Sequence, residues 1–135
     1  MQNWILALLT IFHVLAGVFW VGSAFVLART RAAMAELLAW PQIVAALIAI
    51  LTGAWLWSLL HGAAFGAMEK VLAGGASCAL LALLIQISAL FLVRRLGQAT
   101  DSARDAVRAA LMRRYGPVAG LLAIAVACMV AARYA

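Results

Sequence analysis

Apolar residues fill this chain in four long runs, separated by short stretches in which arginine, proline or glycine collects. The first run, from Trp4 to Ala28, contains no Asp, Glu, Lys or Arg. A helix rises about 1.5 Å per residue, so about 20 apolar residues cross a hydrocarbon layer of about 30 Å. The pattern predicts spanning helices over about 4–28, 41–60, 71–93 and 103–132. The fold class that follows is all-α: an integral membrane four-helix bundle with short loops, forming one transmembrane domain over residues 1–135.

The boundaries carry their own signals. Trp4 suits an interfacial anchor, and Arg29 and Arg31 stop the first helix. Thr30 to Trp40 then reads as a connection, with Pro41 at the first position of helix 2. Helix 2 ends at His61-Gly62, and Phe65, Gly66, Met68, Glu69 and Lys70 follow in a loop. Gly97 to Asp101 breaks the chain again, and Ser102 with Asp105 resembles a capping box. Residues 102–115 are amphipathic; they either lie on the membrane surface and bend at Pro117 or extend helix 4.

Small residues recur every fourth position, as Ala45, Ala49 and Gly53 in helix 2 and as Ala119, Ala123, Ala127 and Ala131 in helix 4. Such stripes let neighbouring helices approach closely. In helix 3 the same spacing joins Gly74, Cys78, Ala82 and Gln86, which turns the Gln86 amide into the bundle, since an amide facing lipid is costly.

Composition agrees with the pattern, at 69% hydrophobic and 10% charged residues and a mean hydropathy of +1.13. The net charge of +6 would suggest nucleic acid in a soluble chain. Its placement says otherwise. Arg29 and Arg31 form one cluster, and Arg94, Arg95, Arg104, Arg108, Arg113 and Arg114 form another, as the positive-inside rule requires of the cytoplasmic face. Both termini are then expected on the non-cytoplasmic side, with the second cluster contacting anionic lipid and no nucleic-acid partner. Met1-Gln2-Asn3 lacks the basic start of a cleaved signal. Cys78 and Cys128, each inside an apolar run, read as packing residues.

Candidate chemistry centres on His13, an ionisable ring deep in the first span, where such residues are costly and usually functional. Its roles are axial ligation of haem iron, copper ligation, proton transfer, or a hydrogen bond from its N–H to a carbonyl or hydroxyl. Thr10 and Gly17 share its face. His61 with Met68 offers imidazole and thioether to a metal such as copper, so His13, His61 and Met68 are the candidate metal ligands. His61 stands about nine residues, or roughly 13 Å, from the depth of His13, which is awkward for a single bis-histidine haem. Lys70 either snorkels at the interface or pairs with a carboxylate. No nucleophile elbow or phosphate-binding glycine loop supports hydrolase or nucleotide chemistry.

His13, Trp20 and Gly22 in a first helix ending at arginine, together with Thr52-Gly53 and Lys70, resemble the copper-resistance D-like superfamily of small bacterial membrane proteins, which includes the HemJ-type protoporphyrinogen oxidases. The resemblance implies an inner-membrane protein in which His13 binds haem b or handles copper and Lys70 is the accompanying basic group. Three readings stand at this point. They are haem binding or copper handling through His13, a non-catalytic accessory subunit packed against a larger membrane complex, and the oxidase itself; the protein partner expected is a larger membrane complex or, as a homo-oligomer, further copies of the chain.

Overall fold

The computed structural model describes residues 2–61 and 65–135 and is all-α: α1 (Gln2–Arg29), α2 (Ala35–Leu60), α3 (Ala67–Gln98), α4 (Asp101–Ala131) and a terminal 3-10 turn (Ala132–Tyr134). All four α-helices are long and apolar enough to cross a membrane, so the chain is a small multi-pass membrane protein. The expected turn at residues 62–64 lies outside the described residues.

The helices outrun their apolar segments. α2 starts at Ala35, which places Glu36 in its first turn and Pro41 inside the helix; the expected connection from Thr30 to Trp40 is mostly helical. A carboxylate in a first turn favours the positive end of the helix dipole, and Pro41 removes only one bond, to the carbonyl four residues earlier. The reversal between α1 and α2 is tight because Arg31 and Ala32 take left-handed φ values of 52° and 55°, and the Ala32 N–H closes back on the Leu27 carbonyl at 2.9 Å. Non-glycine residues pay for that conformation with about 1–3 kcal/mol each.

α3 likewise starts early, at Ala67. The Glu69 carboxylate accepts the Gly66 N–H at 2.9 Å, so Met68, Glu69 and Lys70 belong to its first turn rather than to a loop. Ala99 and Thr100 alone connect α3 to α4. Residues 102–115 continue α4 without interruption through Pro117, and the surface-lying alternative is not adopted. Ser102 and Asp105 form no capping box; the Ser102 hydroxyl instead meets Thr100 Oγ1 at 3.3 Å.

α1 packs antiparallel on α2, and α3 on α4; the α2–α3 and α1–α4 seams close the ring, leaving α1 and α3 diagonal. All arginines except Arg133 gather at one end, and both termini lie at the other. The core is dense in the arginine half, where Leu27, Leu111 and Tyr115 are buried among Ala35, Ala39 and Ala89. It continues past the middle through Trp20, Ala46, Ala82, Val118 and Leu122. At Gly75 α3 approaches α4 closely: an added Cβ would stand 2.9 Å from Cys128 Cβ.

Polar groups bridge this middle. The Trp20 indole donates to Gln86 Oε1 at 2.6 Å. The Gln86 amide donates to Gln42 Oε1 at 3.2 Å, the Gln42 amide to Ser23 Oγ at 2.9 Å, and the Ser23 hydroxyl to the Phe19 carbonyl at 2.7 Å. Three helices are thereby tied by side chains that leave no amide stranded in an apolar interior, where an unmade bond is costly.

Candidate functional site

Towards the end carrying the termini, the helices part. On α1 no residue from Asn3 to Phe19 is buried, and on α2 none is buried beyond Ala49. The space between the two hairpins is a cavity of about 640 Å³ lined by all four helices, within the size range of about 300–1,000 Å³ typical of ligand sites. Among the described residues no charged side chain lines it, and its wall is chiefly Ala, Gly, Val, Leu and Ile with two histidines and two tryptophans.

His13 enters this cavity from α1 in a fixed setting. Its Nδ1 lies 2.8 Å from the Ala49 carbonyl and 3.3 Å from Thr52 Oγ1. A carbonyl only accepts, so Nδ1 is the donor in this bond. The Thr52 hydroxyl donates to the Ile48 carbonyl at 2.6 Å, which leaves its oxygen to accept from the imidazole as well. Gly53 makes the room: a Cβ there would sit 2.9 Å from His13 Cε1 and 3.3 Å from Nδ1. No hydrogen bond from the described residues reaches Nε2. Ligating histidines are held in this way, with the second ring N–H on a carbonyl fixing tautomer and orientation.

His61 lines the same cavity at the far end of α2. Its ring stacks on Trp57 with centroids 5.0 Å apart and planes 28° from parallel, and the Phe65 ring lies tilted to that indole at 6.3 Å. His61 Nδ1 is buried and has no hydrogen-bond partner among the described residues. Eight residues of α2 separate His61 from Gly53, an axial distance of roughly 12 Å at about 1.5 Å per residue.

The other candidates fall elsewhere. Met68 and Lys70 are exposed and do not line the cavity, whose one thioether is Met129 of α4. Among the described residues no three His, Cys, Asp or Glu side chains come together as a metal site. Thr10 does not share His13's inward face; it is exposed and bonds back to the Leu6 carbonyl at 2.8 Å. Gly17 lines the cavity, but a Cβ there would meet nothing within 4 Å, so it is Gly53 that admits the imidazole.

Several lining residues are also exposed: Val14, Val18, Val126 and Met129 on the α1–α4 seam, and Leu60 and Leu80 on the α2–α3 seam. The cavity therefore opens sideways between the hairpins. Trp20 closes it on the arginine side, with its N–H already committed to Gln86.

Compared with known proteins, the chain matches no family model, no curated protein and no solved structure to a significant degree.

Proposed function

We propose that this protein is a small polytopic inner-membrane protein that binds haem b in the cavity between its hairpins, with His13 Nε2 as the iron ligand. One observation carries the reading. An imidazole in the middle of a spanning helix has Nδ1 committed to a carbonyl, while Nε2 faces an apolar cavity without a partner. A bundle histidine with a purely structural task has no need of the second feature. When bound, haem supplies an iron whose axial ligand and apolar surroundings set its reactivity. The chain's own part is to hold the imidazole in one orientation at the cavity wall.

Copper handling is the less supported form of the same idea. Soft, multi-donor chelation of copper calls for several ligands at one depth, whereas His61 stands roughly 12 Å along α2 from Gly53, where the His13 ring lies, and Met68 lies off the cavity wall. By the positive-inside rule the arginine end faces the cytoplasm.

Protein purified from haem-replete cells should show a Soret band, and His13→Ala should lose it while the helical content stays unchanged. A colourless wild-type preparation, or a band that survives in His13→Ala, would remove haem ligation by His13. The same preparation addresses the accessory-subunit reading, which the unburied half of α1 favours: a larger membrane complex co-purifying in mild detergent at a fixed ratio would support it, and a lone chain or homo-oligomer would count against it.

A further inference from the structure

We infer that His61 is the second attachment point of the bound macrocycle, taking a carboxylate on its rim and not its iron. The inference rests on the haem reading above and adds to it the orientation of the ligand.

Four observations lead there. His61 and His13 line one cavity that has no charged residue on its wall among the described residues. Trp20, the indole at the inner end, has its N–H taken by Gln86 at 2.6 Å. His61 Nδ1 is buried with no partner among the described residues, and stacking on Trp57 at 5.0 Å holds the ring in place. Lys70 and Arg133, the basic residues at this end, are exposed and off the cavity wall.

Distance excludes the obvious alternative. A nitrogen ligand sits about 2 Å from its metal, so two imidazoles on one iron stand about 4 Å apart. The His13 ring lies against Gly53, and the roughly 12 Å of α2 backbone from there to His61 exceeds what the His61 side chain and two metal–nitrogen bonds bridge. That separation suits a flat molecule whose metal centre meets one ring while an acidic group on its rim meets the other. An imidazole N–H donates to a carboxylate in either protonation state, and a charge-assisted bond of this kind is strong where water is scarce. The macrocycle would then lie with its acidic edge towards the end of the bundle that carries the termini and its apolar edge towards Trp20.

The test uses the full chain, stripped of ligand in detergent and titrated with haem b and with haem dimethyl ester, whose carboxylates are blocked. His61→Phe keeps an aromatic ring against Trp57 and removes the donor. It should weaken haem b binding about tenfold, within the range found for outer-shell partners, with the Soret position unchanged, and leave the affinity for the ester as in the parent chain. His61→Gln, which restores a donor, should recover most of the loss. Equal weakening of both ligands by His61→Phe, no weakening of either, or a Soret shift of the kind that follows loss of an axial ligand would overturn the assignment. Failure of the haem reading looks different: the parent chain then binds neither compound, or His13→Ala leaves both titrations unchanged.

Discussion

At the scale of single residues, the site depends on what is missing at position 53. His13 can approach Ala49 to 2.8 Å only because α2 has no side chain where the imidazole passes, and a methyl group at that point would stand 2.9 Å from Cε1. Gly53→Ala must therefore push the ring off its carbonyl. We expect it to lower haem affinity about 10–100-fold, as disturbance of an outer-shell contact does, while circular dichroism shows the helices intact. Unchanged affinity in equilibrium titration would mean that the ring's anchoring has no bearing on binding. In the sequence, Thr52 is a feature of the resemblance, Gly53 also closes a small-residue stripe, and Gly17 is the glycine on His13's own helix; none of these points to the contact that holds the ring. Sequence spacing ranks neighbours on one helix, and the residues that hold His13 come from another.

At the scale of elements, the tie between α1, α2 and α3 sets which helix faces which. Gln86→Leu removes the acceptor of the Trp20 N–H and the donor to Gln42 Oε1 together. Unpartnered groups of this kind cost about 1–3 kcal/mol, and measured interhelical bonds in a membrane bundle average about 0.6 kcal/mol. A loss of about 1–2 kcal/mol is expected, read as a lower midpoint in detergent unfolding. Gln42→Leu combined with Gln86→Leu should cost less than the two single changes added, because both act on one network. A strictly additive pair would argue that the amides act separately. The inward turn of Gln86 was legible from its spacing to Ala82. Gln42 was not, because Pro41 beside it read as a helix start, although Gln42 sits seven and eleven residues before Ala49 and Gly53 on the same face.

The small-residue stripes show a second limit of such reading. Four residues turn a helix by about 400°, so a strict fourfold repeat drifts by about 40° per step, while packed helices keep a seam nearer 3.5 residues per turn. In α4 the buried line accordingly runs through Tyr115, Val118, Leu122 and Ala125, and Ala123, Ala127 and Ala131 are exposed. In α3 it is Gly75, not Gly74, that meets α4.

At the scale of the whole molecule, four spans were evident from hydropathy alone, and only their ends moved. Charged and capping residues added turns beyond each apolar run, as at Ala35 and Ala67. The arginine cluster implies an orientation that can be checked directly. With Cys78 and Cys128 replaced by alanine, Asn3→Cys and Tyr134→Cys should react with a membrane-impermeant maleimide in intact cells, and Thr100→Cys only after permeabilisation. The reverse pattern would invert the proposed orientation. The side openings between the hairpins have a consequence of their own. A molecule seated beside Nε2 of His13 shares a boundary with acyl chains, so its occupancy follows its concentration in the bilayer and not in the surrounding water. For a poorly water-soluble compound the two differ by orders of magnitude, and a site of modest intrinsic affinity fills readily as long as the compound partitions into lipid.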